Sequence, residues 1–316
     1  MKTDFRLLVA AYHYVQPRGL YPYQGIHAIA PERFLQQVEL LSRFCHPADP
    51  DHLFSCWQDS TFEGDHFYLT FDDGLKEHLE LARTLYQKGL KAGFFVTSRP
   101  LLEKKALVVQ KIHWLRSNIE PVLFTTWFSE LLPEEWSAPW NSPDRETAKK
   151  ALESYRFDTP EVGLMKYLVN FVLPNAVVDH ITAIMLERKK IDEASFCRSF
   201  YLSEDDIREM LSLGHTVGCH GHLHIPFSRF PNAASLQSDL ETNIHYLTNL
   251  TGKRPSSVAY PFGSEWALPA DPIAFCRNFN FDIGLTTHHG WNNREISLDS
   301  LRRVDAIEIE RVFAES

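Results

Sequence analysis

The sequence predicts an α/β fold, either a (β/α) barrel or an open α/β sheet, that carries a helical insertion. Short, continuous apolar runs rich in β-forming residues recur in the first third and the last third of the chain. Such runs are typical of strands covered on both faces, as in parallel sheets. Helical patterns follow several of them, and alternating strands and helices indicate βαβ units. Residues 101–199 break this alternation with helical, aromatic-rich segments, which we interpret as the insertion.

Apolar periodicity and boundary residues place the individual elements. The predicted strands are Leu7–Tyr14, His66–Phe71, Ala92–Val96, Thr216–Cys219, Ser257–Tyr260 and Ile283–Thr286. The predicted helices are Pro31–Phe44, Lys76–Gly89, Ser203–Leu213 and Ala234–Gly252. Ser203, with Asp206 three residues later, is typical of a capping box. We expect residues 1–100 and 200–316 to form the α/β domain, and the insertion to be a lid, a specificity element or an oligomerisation surface.

The composition indicates a globular protein rather than a disordered, membrane or nucleic-acid-binding one, and directs the search to a small-molecule or glycan enzyme. The 316 residues are 44% hydrophobic and 23% charged, which excludes a low-complexity chain. No apolar run reaches the ~18 residues that a membrane span needs. The net charge is −9 and no block of Lys and Arg occurs, which argues against nucleic acid or anionic membrane as the main partner.

Five widely spaced cysteines without a C-x-x-C pair fit a reduced chain better than a disulfide scaffold. The apolar run near the N-terminus is interpreted as a buried first strand rather than a signal peptide. Asp4 precedes it, and it is shorter than the ~7–15 residues of a signal-peptide core. We therefore expect a cytoplasmic protein.

Two adjacent carboxylates, Asp72 and Asp73, follow the second predicted strand within the segment Thr70–Gly74. In α/β folds the carboxyl ends of strands are where sites are built. Because neighbouring carboxylates repel each other, one is readily assigned to a cation and the other to proton transfer. The alternative interpretation is a strand-end turn in which an aspartate caps the next helix.

Three histidines, His220, His222 and His224, lie within five positions. His220 and His224 meet on one face if a helical turn begins there. Imidazoles at this spacing suit Zn²⁺ or a similar divalent ion, with a carboxylate as third ligand. His222 then points elsewhere, and a surface or core histidine cluster is the alternative interpretation.

Later segments add weaker signals. The apolar run Val258–Gly263 ends in Pro and Gly, which can aim a backbone N–H at a developing oxyanion or form a simple β-turn. A histidine after the last predicted strand can act as a general acid. An arginine in Leu301–Asp305 can orient a carboxylate through a bidentate pair. Loop histidines and solvated charges are the alternatives.

Taken in this order, the clusters resemble the polysaccharide deacetylase family, also called the NodB-homology or carbohydrate esterase 4 family. Its motif T-F-D-D-G is intact at Thr70–Gly74, and its motif H-[ST]-x-x-H is matched at His220–His224, with Gly221 replacing the hydroxyl residue. Its third motif, R-x-P-[YF]-G, is approximated by Ala259–Gly263, where Ala259 replaces the arginine. The resemblance implies a distorted (β/α) barrel of the NodB-homology type with a helical insertion.

The resemblance also implies an activity. We expect a metal-dependent carbohydrate N-deacetylase, in which metal-activated water attacks the amide of an N-acetylated amino sugar or glycan intermediate of cell-surface polysaccharide biosynthesis. The implied metal ligands, for Zn²⁺ first and Co²⁺ or Ni²⁺ as alternatives, are Asp73, His220 and His224. The implied catalytic groups are Asp72 as general base, the Phe262 N–H as oxyanion donor, His288 as general acid and Arg303 as the replacement for the missing arginine. The expected substrate contacts are Tyr260, Pro261 and His13.

Some assignments stay open. The family's late L-x-H motif is one residue longer here, so His289 is an alternative to His288. His220 and His222 also resemble the H-x-H ligands of amidohydrolase barrels, although those lie on an early strand. A third hypothesis is a glycan-binding protein that kept the site but lost turnover. The insertion is a candidate surface for homo-oligomer formation.

Overall fold

The computed structural model describes residues 5–59, 61–155 and 158–314, and the chain divides into two compact units. The sheet unit consists of Met1–Leu20, Ala28–Glu103 and Arg198–Ser316. The helical unit consists of Tyr21–His27 and Lys104–Cys197.

The sheet unit is built on parallel strands. They are β1 Phe5–Tyr12, β2 His46–Pro47, β3 Gly64–Phe71, β4 Ala92–Val96, β5 Thr216–Cys219, β6 Ser257–Ala259, β7 Ile283–Leu285 and β8 Val304–Asp305. The strand order is β7-β6-β5-β4-β3-β1-β8, and β2 pairs with β3. A further parallel bridge joins Leu285 of β7 to Leu301, just before β8, so the two ends of the sheet approach each other. This curled parallel sheet with its helices confirms the predicted α/β class.

Each of the six predicted strands overlaps a strand of the structure, and the two that were not predicted, β2 and β8, have only two residues each. Strands this short carry no readable periodicity. The continuous apolar runs reflect burial on both sides: Leu8, Ala10 and Tyr12 of β1 pack in one hydrophobic cluster, whereas Leu7 and Val9 pack in another.

Helices cover the strands of the sheet unit and make up most of the helical unit. They are α1 Pro31–Phe44, α2 Leu53–Asp59, α3 His78–Gln87, α4 Arg99–Leu102, α5 Val108–Asn118, α6 Pro121–Leu131, α7 Ser137–Asn141, α8 Arg145–Ser154, α9 Pro160–Tyr167, α10 Asn175–Arg188, α11 Glu193–Phe200, α12 Glu204–Ser212, α13 Ala233–Thr251, α14 Pro272–Asn278 and α15 Ile309–Ala314. A π-helical turn covers Leu168–Val172, and short 3₁₀ turns cover Glu134–Trp136, Phe227–Arg229 and Leu298–Ser300. The capping box predicted at Ser203 is confirmed at the start of α12.

The helical unit has its own hydrophobic core, formed mainly by α5, α6 and α10. Its function as a lid, a specificity element or an oligomerisation surface stays a prediction. Across the described residues of the chain, we find no helix with the length and apolar character required to cross a bilayer.

Candidate metal and catalytic site

The candidate site forms where β3 and β5 end, on either side of β4. Asp72 and Asp73 follow the last residue of β3, and His220 follows the last residue of β5. The Asp72 N–H donates to the Tyr12 carbonyl at 3.0 Å, which continues the pairing of β1 and β3 by one residue. Because parallel strands end at the same edge, these side chains are brought together although they are far apart in sequence.

Asp73, His220 and His224 form a compact group of metal-ligand atoms, all within 4.8 Å of one another. Asp73 Oδ1 lies 3.3 Å from His220 Nε2 and 3.1 Å from His224 Nε2. The three side chains are almost fully buried. Two imidazole nitrogens and one carboxylate oxygen suit Zn²⁺ or a similar divalent ion, and three protein ligands leave a position open for chemistry.

The hydrogen bonding of His220 fits this interpretation. His220 Nδ1 lies 2.7 Å from the backbone oxygen of Ala259. Since a carbonyl only accepts, Nδ1 carries the hydrogen, which leaves Nε2, on the side of Asp73, as the nitrogen that could bind an ion. A second hydrogen bond of this kind orients most metal-binding histidines. The residues present therefore fit a divalent metal ion.

Left-handed backbone residues bring His224 close to His220. The i, i+4 spacing would bring the two histidines together on a helical turn, but the metal loop, His220–His224, is irregular. Gly221 has φ +74° and His224 has φ +54°, so two left-handed residues bend the loop back on itself. Left-handed conformations are rare outside glycine and concentrate at functional sites.

Asp73 and Phe262 also have left-handed backbone conformations, with φ +77° and φ +63°. Phe262 is the predicted oxyanion donor, and its ring lies 5.0 Å from the His224 ring. The Pro261–Gly263 turn is thus beside the metal-ligand group. The role of the Phe262 N–H stays a prediction.

The carboxylate of Asp72 forms an ion pair with Arg303, the residue just before β8. Arg303 Nη1 and Nη2 lie 2.9 and 2.8 Å from the two carboxylate oxygens, a bidentate pair with both side chains buried. Arg303 Nε donates to the Thr286 carbonyl at 2.7 Å, which fixes the plane of the guanidinium. The structure therefore brings Arg303 against Asp72, and its function as the orienting group stays a prediction.

The electrostatics keep both aspartates ionised. Burial opposes ionisation of Asp72, but the charge of Arg303, with His220 and His13, outweighs it and holds the pKa of Asp72 below its usual value. Burial also opposes ionisation of Asp73, but His224 and His220 hold its pKa well below the usual range. His13 is half-exposed, with Nε2 3.7 Å from Asp72 Oδ2.

Of the predicted substrate contacts, Tyr260 lies in the core and Pro261 lies beside the metal loop. Tyr260 is fully buried, and its hydroxyl donates to the Asp299 carbonyl at 2.7 Å. The prediction that Tyr260 binds substrate is therefore not supported by its side chain, which packs in the core with Phe227 and Phe275. Pro261 lies next to the metal loop, with Cγ 3.8 Å from where a Cβ on Gly221 would be.

The late loop, Thr286–Gly290, carries both candidate general acids. His288 is exposed, and its backbone carbonyl accepts from the Arg303 N–H at 2.9 Å. His289 Nδ1 lies 3.3 Å from Glu308 Oε2. Neither contact decides between the two, so the assignment of the general acid to His288 stays a prediction.

His222 is engaged on both ring nitrogens. Nδ1 lies 2.9 Å from Ser98 Oγ, and Nε2 lies 3.0 Å from Glu103 Oε1. Within the described residues, the group of metal-ligand atoms includes His224 and does not include His222. This geometry disfavours the amidohydrolase-like pair of His220 and His222.

The sequence analysis missed the residues that support the metal loop. They are Ser98, Glu103, Asp239 and Asn243. Asp239 and Asn243 lie in the middle of α13, where a polar residue is unremarkable. No local spacing signals their contact with a loop some 20 residues away.

The comparisons with known proteins agree with this geometry. The sequence profile of the polysaccharide deacetylase family matches residues 169–271, about a third of the chain, which include the metal loop and the Ala259–Gly263 segment. The resemblance to the polysaccharide deacetylase family is confirmed. The first motif, at Thr70–Gly74, lies outside the matched range. None of the curated proteins matches the chain in sequence.

Solved deacetylase structures share the fold at low sequence identity. IcaB from Ammonifex degensii is 16% identical, with 99% of this chain and 98% of that chain covered and a TM-score of 0.59. The deacetylase PplD from Streptococcus pyogenes, solved in complex with acetate, is 14% identical, with coverage of 96% and 93% and a TM-score of 0.58. The BpsB deacetylase domain from Bordetella bronchiseptica is 16% identical, with coverage of 96% for both chains and a TM-score of 0.53. The predicted distorted barrel of the NodB-homology type is confirmed.

Proposed function

We propose that this protein is a metal-dependent carbohydrate N-deacetylase that removes an acetyl group from an amino sugar or glycan intermediate. The observation that carries the proposal is the group of Asp73, His220 and His224 beside an ionised Asp72 bound by Arg303. The family profile and the deacetylase fold support a carbohydrate amide as substrate. The acetate in the PplD complex is a product that such a reaction would release.

Asp73, His220 and His224 would hold the ion, with Zn²⁺ expected first and Co²⁺ or Ni²⁺ as alternatives. When bound, a divalent ion lowers the pKa of water and polarises the amide carbonyl. His220 keeps its orientation through its bond to the Ala259 carbonyl.

Asp72 is the proposed general base. It is excluded from the ligand group, is ionised, and has its two oxygens fixed by Arg303, so it is ready to accept a proton from the attacking water. The Phe262 N–H is the proposed donor to the developing oxyanion. His288 would protonate the leaving amine as the carbon–nitrogen bond breaks, and acetate and a free amine would result.

The hypothesis of a glycan-binding protein without turnover is weakened by Arg303. That hypothesis rests on Ala259 in place of the family's arginine and on the longer spacing of the late histidine, and the second of these is unaffected. The bidentate pair of Arg303 with Asp72 supplies a guanidinium from the residue just before β8. The cytoplasmic location and the link to cell-surface polysaccharide biosynthesis stay predictions.

The test combines metal content with acetate release. Purified wild-type protein should contain about one Zn²⁺, Co²⁺ or Ni²⁺ per chain by elemental analysis, and His220→Ala should lose it. The loaded wild type should release acetate from a panel of N-acetylated amino-sugar oligomers, whereas Asp72→Asn should keep the metal and lose about 10²–10⁴-fold in rate. A wild type that takes up no metal, even when metal is added back, would overturn the hydrolase proposal. Metal binding without acetate release on any substrate would favour the binding protein.

A further inference from the structure

Helix α13 presents two polar side chains to the metal loop. Asp239 and Asn243 lie four residues apart, so they share one face of the helix. Asp239 Oδ2 accepts from the His222 N–H and Oδ1 accepts from the Leu223 N–H, both at 2.9 Å. Asn243 Oδ1 accepts from the His220 N–H at 3.4 Å, and its Nδ2 donates to the Val96 carbonyl at 3.0 Å. One helix face therefore binds three backbone N–H groups of the loop that carries two of the candidate metal ligands.

Asp239 is nearly buried, with 6% of its surface exposed. A buried carboxylate is costly unless its oxygens accept hydrogen bonds, and here both oxygens do so from the same loop. These oxygens are directed at backbone N–H groups and are not part of the ligand group of Asp73, His220 and His224. Asp239 thus makes its hydrogen bonds to the metal site through the backbone of the loop.

Gly221 makes the approach of this carboxylate possible. Its φ of +74° is a left-handed conformation, and a Cβ at this position would lie 3.0 Å from Asp239 Oδ2 and 3.4 Å from Phe227 Cε1. The space that a side chain would occupy at position 221 is therefore filled by Asp239. The family motif has a hydroxyl residue at this position. Here the loop has no side chain at position 221, and the Asp239 carboxylate from α13 lies in the space that such a side chain would take.

We propose that Asp239 is a positioning residue for the metal site, which holds the metal loop in the geometry that lets His220 and His224 bind one ion. The inference rests on the proposed function, because it assumes that these histidines are metal ligands. Asn243 supports the same loop at its first residue. Loss of the Asp239 contact should let the loop relax and should separate the two imidazoles.

The direct test is Asp239→Asn, measured by Zn²⁺ titration of the metal-free protein. An amide has only one acceptor oxygen, so its NH₂ group would face one of the two N–H donors. We expect the dissociation constant for Zn²⁺ to rise by about 10–100-fold, as for other residues that orient metal ligands. The visible absorption of the Co²⁺-loaded protein should change as well, because it reports the ligand geometry.

The matched control is Glu241→Gln, which makes the same chemical change at an exposed position of the same helix. It should bind Zn²⁺ as the wild type does. A purely structural role for Asp239 would lower the unfolding temperature of the metal-free protein and leave the Zn²⁺ affinity and the Co²⁺ spectrum of the folded protein unchanged. That result would overturn the inference.

If Asp239→Asn does not fold, Gly221→Ala reaches the same contact from the side of the loop. The added methyl group would crowd Asp239 Oδ2 and would also strain the left-handed backbone of the loop, and the expected result is the same loss of Zn²⁺ affinity. Wild-type affinity in a folded Gly221→Ala protein would overturn the inference. A wild type that binds no Zn²⁺ would instead overturn the proposed function together with the inference, so the two failures are distinguishable.

Discussion

The metal loop and the late loop both carry candidate functional histidines, but the side chains of His220 and His288 differ in how they are held. In the metal loop, backbone N–H groups bind to Asp239 and Asn243, and the His220 ring binds to the Ala259 carbonyl. In the late loop, His288 is exposed and its known contacts are made by its backbone.

The proposed roles of the two loops, metal binding and proton donation, place different demands on their histidines. Metal–nitrogen distances of about 2.0–2.1 Å leave little tolerance, so ligands must be fixed before the ion arrives. A proton donor needs only to come within hydrogen-bond reach of the leaving group once substrate is bound. An exposed histidine side chain such as that of His288 suits that second task.

The strongest test of this comparison is in the late loop. We expect His288→Ala to lower kcat by about 10²–10⁴-fold, because a positioned general acid contributes that much. Zn²⁺ content should not change, since the late loop holds no ligand. The control is His289→Ala, which should retain nearly full activity. A large loss in His289→Ala alone would reassign the acid to the histidine beside Glu308.

A second test concerns Asp72, the proposed general base. Arg303→Lys keeps a positive charge but replaces two parallel hydrogen bonds with a point charge. Arg303 is the main group that lowers the pKa of Asp72 against the effect of burial, so the pKa of Asp72 should rise in the variant. Because Asp72 accepts a proton only when ionised, the acid limb of kcat/KM should move to higher pH, so the loss of activity relative to the wild type should grow as the pH falls and be small at neutral pH.

The control for that experiment is Arg302→Lys, at the exposed neighbouring position. Its pH profile should match that of the wild type. An acid limb that stays in place in Arg303→Lys would show that Arg303 does not set the ionisation of the base.

The smallest effect is expected in the metal loop itself, at His222. His222→Ala removes the contacts with Ser98 and Glu103 but leaves the ligands and the Asp239 contact in place. We expect about one metal ion per chain to be retained, with a loss of affinity of only a few-fold, below the range for direct orienting groups. Loss of the ion in His222→Ala, with retention in His224→Ala, would instead favour the amidohydrolase-like ligand pair.

The parts of the site that could be predicted from sequence are those fixed by local pattern. The apolar run before Asp72 places it at a strand end, and three histidines in five residues signal a ligand cluster. The pairing of Asp72 with Arg303 could only be offered as a candidate, because 231 positions separate them. The contact of Asp239 gave no signal at all, since it depends on how α13 packs against the loop. The i, i+4 spacing signalled that His220 and His224 could meet, but not that left-handed residues rather than a helical turn bring them together.

The bond from His220 to position 259 is made to a backbone carbonyl, not to a side chain. The orientation of this ligand is therefore indifferent to which amino acid occupies position 259. An arginine on this strand could therefore be replaced by one at position 303 without loss of the carbonyl that orients His220. The orientations of His220 and of Asp72 thus depend on different groups, the Ala259 carbonyl and the Arg303 guanidinium.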